Sequence, residues 1–124
     1  MKVQVEEKPF LANGRHTTTI TEVTEGKSEN KGVPFFNCRF ENEDGFVNHR
    51  FYLSEPGQPI MAEFFKAVGI EKEEVDTQEL MGKEVSIDVH ERTYPDPESQ
   101  QEKTIKEARY FQTAGQSNTS DAVN

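Results

Sequence analysis

At 124 residues the chain has the length of one domain and leaves no room for a second core of similar size. Leu, Ile, Val and Phe total only 27 residues, nine of them Phe, so the core has to be small and built largely from rings. Fourteen basic against 23 acidic side chains give a net charge of −9, which argues against general electrostatic affinity for nucleic acid or acidic lipid, and the lone Cys38 excludes an intrachain disulfide. No run approaches the length of a membrane span, and Glu6, Glu7 and Lys8 do not fit a signal peptide, so the expectation is a soluble cytoplasmic protein with no membrane partner. The acid is unevenly placed: residues 1–53 carry 7 basic against 8 acidic groups, and 54–124 carry 7 against 15. A local cationic face in the first half is therefore compatible with the overall charge.

In chain order, residues 1–13 read as a polar extension containing Val3, Val5, Phe10 and Leu11, closed by the turn signal Asn13-Gly14. A Thr-rich first strand runs from Arg15 to Val23. Gly32-Val33-Pro34 then punctuates, and Phe35–Glu41 and Phe46–Leu53 form a hairpin across Asn42-Glu43-Asp44-Gly45. From Pro59 to Val68, Ile60, Phe64 and Val68 share a stripe with Met61 and Phe65 beside it, predicting a short helix closed by Gly69 with Ile70 as its hydrophobic contact. Asp76-Thr77-Gln78-Glu79 has capping-box spacing and predicts one more helical turn over Leu80 and Met81, closed by Gly82. Val85, Ile87 and Val89 alternate with polar residues as a half-buried fourth strand. Residues 92–103, with Pro95 and Pro97 and no apolar period, read as a long loop; Thr104–Phe111 is the fifth strand, and 112–124 a disordered polar tail. The division is thus 1–13 extension, 14–111 domain, 112–124 tail.

Three strands, a helix and two strands, with a tight second hairpin turn, is the element order of the five-stranded OB-fold barrel, an all-β class. Over residues 14–111 the sequence also resembles the OB-fold single-stranded-DNA-binding proteins of phage and prophage replication modules. The similar features are Gly14 followed by Ile20, Gly32-Val33-Pro34 before the second strand, Ala67-Val68-Gly69 ending the helix, and Leu80-Met81-Gly82-Lys83 running into Val85-Ser86-Ile87-Asp88-Val89. The resemblance implies a non-enzymatic protein that binds single-stranded DNA in phage or bacterial replication or recombination, with replication or recombination proteins and a second copy of itself as partners. It departs from bacterial single-strand binders in having no Trp and no acidic tail ending in Pro-Phe.

A four-residue loop at 42–45 opposes residues whose numbers sum to 87, which fixes the facing of every hairpin side chain. One face holds Phe36 opposite Phe51, Cys38 opposite His49 and Phe40 opposite Val47, with Leu53 beyond, an apolar set suited to the core. The other holds Phe35 opposite Tyr52, Asn37 opposite Arg50, Arg39 opposite Asn48 and Glu41 opposite Phe46. Rings interleaved with arginines fit base stacking and phosphate contact, so Phe35, Phe46 and Tyr52 are expected to stack, Arg39 and Arg50 to bind phosphates or stack, and Asn37 and Asn48 to bond base edges. Arg92 and Tyr94 would extend this surface from the 92–103 loop, and Arg15 would flank it. The structural alternative is that Phe10 and Leu11, or a second subunit, cover the rings. The functional alternative is an acidic protein-interaction module, an inhibitor or assembly factor, docking through the same face.

His16, His49, His90 and Cys38 lack metal-ligand spacing, the acidic runs lack a fixed carboxylate pair beside a base or nucleophile, and Gly26–Gly32 lacks the ending of a phosphate loop. No catalytic, metal or cofactor site is expected.

Overall fold

A computed structural model describes residues 8–29, 31–95 and 101–114. Five antiparallel strands, β1 (Gly14–Lys27), β2 (Pro34–Asn42), β3 (Gly45–Tyr52), β4 (Glu84–Pro95) and β5 (Glu102–Thr113), form one sheet in the order β3-β2-β1-β4-β5. Helix α1 (Gln58–Ala67) lies between β3 and β4 in sequence. The class is all-β with one short helix, and the sheet is not closed by a hydrogen-bonded ladder between its edge strands. Those edges nevertheless meet through side chains, with Phe111 of β5 5.6 Å from Phe51 and 6.0 Å from His49 of β3, ring centre to ring centre.

The β2–β3 register is the expected one, from Phe35 opposite Tyr52 to Asn42 opposite Gly45. Its turn is held by Asn42, whose Oδ1 accepts from the backbone N–H groups of Asp44 (2.7 Å) and Gly45 (3.2 Å). Parity then buries Phe36, Cys38, Phe40, Val47 and Phe51 together. Helix α1 adds Met61, Phe64 and Ala67, and ends as expected: Gly69 takes φ +79° and the Ile70 N–H returns to the Phe65 carbonyl (2.9 Å). Rings dominate the result, with Phe64 4.5 Å from Phe51 and 5.1 Å from Phe111. The Asp76 capping box is present on a 3₁₀ turn, Thr77–Leu80, that delivers Leu80 fully buried. Gly82 N–H to the Ile20 carbonyl and Ile20 N–H to the Lys83 carbonyl tie this turn to the β1 bulge between Ile20 and Glu22.

Four expectations are corrected. Of the expected 92–103 loop, residues 92–95 and 102–103 are strand: Arg92 pairs with Ile105, Thr93 with Thr104, Tyr94 with Lys103 and Pro95 with Glu102, extending the β4–β5 ladder, while residues 96–100, Pro97 among them, fall outside the described residues. Periodicity misses this arm because it has little core beneath it, and alternation is visible only where one face is buried. Residues 8–13 are not merely an extension. Leu11 is fully buried, and Pro9–Leu11 pairs with β3 in parallel, Phe46 donating to the Pro9 carbonyl (3.0 Å) and accepting from Leu11 N–H (2.9 Å). Gly45 permits that approach, since a Cβ there would lie 2.3 Å from the Pro9 carbonyl oxygen. Gln112 and Thr113, placed in the tail from sequence, belong to β5 and pair with Ser86 and Val85. Leu53, placed in the core set, lies just past β3 and is exposed.

Candidate functional site

The β2–β3 face and the β4–β5 arm enclose a groove of about 490 Å³. Asn37, Asn48, Arg50 and Tyr52 line one side, and Arg92 and Tyr94 line the other. Tyr52 and Tyr94 are incompletely buried, so ring surface remains open. The Asn37 Nδ2 donates to Asn48 Oδ1 at 3.4 Å, a long bond that leaves Asn37 Oδ1 and the Asn48 amide N–H groups for other partners. On the opposite wall Arg92 Nε donates to Glu107 Oε1 (2.8 Å), and its guanidinium lies 5.5 Å from the Tyr94 ring centre. Burial is the largest single influence on the Glu107 carboxyl and works to raise it, but the Arg92 hydrogen bond and charge, with His49 and His90, together outweigh it and hold that pKa below the usual carboxylate value.

Four expected site residues stand outside this groove. Phe35 is half-buried: a Cβ on Gly26 would lie 2.9 Å from its ring tip, the Arg50 guanidinium sits 4.4 Å over its centre, and Tyr52 meets it edge-on at 5.5 Å. It supports Arg50 and Tyr52, and its remaining surface lines a different cleft, beside α1 and the ends of β1 and β2. Phe46 is 6% exposed, covered by Phe10 (4.9 Å) and by the Arg39 guanidinium (3.8 Å), so its expected stacking role is corrected; the N-terminal residues do cover this ring. Arg39 donates to Glu41 Oε1 (3.0 Å), and Lys8 reaches the same carboxylate (2.9 Å). Hydrogen bonds from Lys8, Arg39 and Thr21 hold the Glu41 carboxyl at about 2. Arg15 instead donates to the Tyr110 carbonyl (2.7 Å).

Sequence reasoning missed His49, Ile105, Lys106 and Glu107, which also line the groove. Ladder parity would have found Ile105 and Glu107 had 92–103 been read as strand, because they stand opposite Arg92 and His90. Lys106 Nζ donates to the Leu11 carbonyl (2.7 Å), which joins β5 to the segment bound along β3. Burial pushes His49 down to about 4, so the imidazole is neutral at pH 7, and burial pushes the Cys38 thiol up to about 12. Among the described residues no three His, Cys, Asp or Glu side chains are grouped to hold a metal ion.

A larger cleft, about 1040 Å³, is bounded by α1 and the ends of β1 and β2. Leu53, Met61, Phe65 and Ile70 give it an aliphatic and aromatic lining, and no arginine faces it. Of these two, the smaller groove combines open rings, guanidinium groups and side-chain amides, the side chains that engage unpaired bases and phosphates. No helix among the described residues is long and apolar enough to cross a membrane. No family model matches the sequence, and no curated protein matches it either, so the chemistry of the groove rests on its own residues.

Proposed function

We propose that the chain is an OB-type protein of phage or bacterial DNA replication or recombination, acting in the cytoplasm, that binds single-stranded DNA without chemistry and with little sequence preference. The observation that carries this reading is the convergence of Asn37, Asn48, Arg50 and Tyr52 from one hairpin with Arg92 and Tyr94 from another on one groove. Strand order β3-β2-β1-β4-β5 with a helix between β3 and β4 supports an OB barrel, whose ligand face is the outer side of β2–β3 flanked by the β4–β5 connection. Tyr52 and Tyr94 stack bases, Arg50 and Arg92 meet phosphates, and the two asparagines bond whichever base edge is presented. Stacking needs unpaired bases, so duplex is excluded by its own geometry.

A native gel shift at low salt tests this with an oligothymidine of about 30 nucleotides against a duplex of equal length. A shift of the single strand only is the expected result. Equal shifts would overturn the stacking mechanism, and no shift of either would leave the acidic interaction module as the better account of a −9 protein.

A further inference from the structure

Every arginine of the chain is engaged with an aromatic residue. Arg39 lies over Phe46, Arg50 over Phe35, Arg92 over Tyr94 and Arg109 over Tyr110, while Arg15 holds the Tyr110 backbone. The last group, Arg15, Arg109 and Tyr110, lies outside the groove and has no part in the function proposed above.

Its construction is specific. The β4–β5 register shifts between Ser86 and Asp88, so that Ile87 of β4 faces two residues of β5, Tyr110 and Phe111. Phe111 turns into the core and Tyr110 is left 54% exposed at φ +52°, a left-handed conformation that bulky residues avoid. Arg15 Nη1 donates to the Tyr110 carbonyl (2.7 Å) and lies 3.4 Å from Ser86 Oγ, which braces the bulge, while the Arg109 guanidinium sits 4.8 Å from the ring centre. A glycine would adopt this backbone without strain, yet the position carries an outward ring.

The patch is continuous with the groove. Arg15 and Arg109 both pair with Asp88, forming one row across β1, β4 and β5. Directly paired residues share a face and alternate rows repeat it, so the next rows are His90 with Glu107, Arg92 with Ile105, and Tyr94 with Lys103. Four residues, about 13 Å of strand, separate the Asp88 row from the Arg92 row at the groove wall. Along this face Arg15, Arg92, Lys103 and Arg109 outnumber Asp88 and Glu107; Asp88 pairs with Arg109 (3.8 Å) and Glu107 with Arg92 (2.8 Å), which leaves a cationic excess of two on a protein of net charge −9.

We propose that Tyr110, Arg109 and Arg15 form a second stacking and phosphate-binding step for the same single strand, which leaves the groove past Arg92 and Glu107 and runs along β4–β5 towards the Asp88 row. This rests on the groove binding DNA. The test is fluorescence anisotropy with oligothymidines of about 4 nucleotides, enough for the groove, and about 16, enough to reach the patch. Tyr110→Asn keeps a residue that tolerates the left-handed backbone, and Arg109→Ala removes an exposed side chain. Each is expected to weaken binding of the long probe about fivefold or more and to leave the short probe within about twofold. Tyr94→Ala is expected to weaken both. Undiminished long-probe affinity in both patch variants, or equal loss on both probes, would overturn the second step while groove binding stands. Failure of the unaltered protein to bind either probe would remove the groove reading, and the second step with it.

Discussion

Tyr52 and Phe51 are neighbours with opposite fates, because alternation along β3 sends one ring to the groove and the other to the core. Tyr52→Ala is expected to weaken oligonucleotide binding by about 1–3 kcal/mol with little change in stability, as for loss of one stacking ring. Phe51→Ala removes a fully buried ring packed on Phe36 and Phe64 and is expected to destabilise the fold by about 3–5 kcal/mol. Anisotropy and thermal melts on the two variants check this, and reversed phenotypes would contradict the facing. His49 adds a pH dependence. Its pKa falls from 6.5 to about 4 on folding, chiefly through burial, so the native state favours the neutral ring. The stability this contributes is full above about pH 6.5 and is lost as pH falls towards about 4, amounting to about 2 kcal/mol between pH 7 and 5. Glu41, also depressed, adds its loss below the ordinary carboxylate range, so the two windows separate. Urea titrations at pH 7 and 5 should show this loss in the native protein and a flatter response in His49→Leu.

Among the elements, the segment Pro9–Leu11 has a role that its position in the chain conceals. The Phe46 backbone bonds to it on one side, Lys106 of β5 reaches the Leu11 carbonyl on the other, and the Leu11 side chain enters the core, so it bridges the sheet edges that no ladder joins. Leu11→Ala is expected to lose about 2–5 kcal/mol of stability by opening a cavity at this seam. A melting temperature unchanged by that substitution would mean the segment is only an appendage. The β4–β5 arm is the complementary case. Its Arg92, Tyr94 and Glu107 are ordered by a ladder and an ion pair rather than by burial, which is why a pattern of apolar residues could not announce it.

For the whole molecule the controlling quantity is charge. A surface of −9 repels polyanions, and the groove sets only Arg50, Arg92 and Lys106 against that, two of them already paired, Arg92 to Glu107 and Lys106 to Glu91. Binding must then draw mainly on stacking, with few counterions released. The slope of log affinity against log salt is expected to be shallow, about −2 to −4 at ~0.7 per phosphate contact, even with the Arg15 and Arg109 patch engaged. A slope steeper than about −5 in anisotropy titrations would show that phosphate neutralisation dominates instead.

The order of elements along the chain, the 42–45 hairpin with its register, the helix with its glycine end and the Asp76 capping box were all legible in the linear chain. Each is local, decided by alternation, turn chemistry or capping within a few residues of itself. The same parity named Asn37, Asn48, Arg50 and Tyr52 as one outward face. Other features depend on which distant segment lies across the site. Phe46 and Tyr52 have the same parity, yet Phe10 covers one and the groove opens beside the other. Leu11, Lys106 and the bulge at Tyr110 likewise acquire their roles from partners 35 to 95 residues away. Local sequence determined the faces; tertiary packing decided which parts of those faces remain open, because covering a side chain requires a neighbour that its own stretch of chain does not encode.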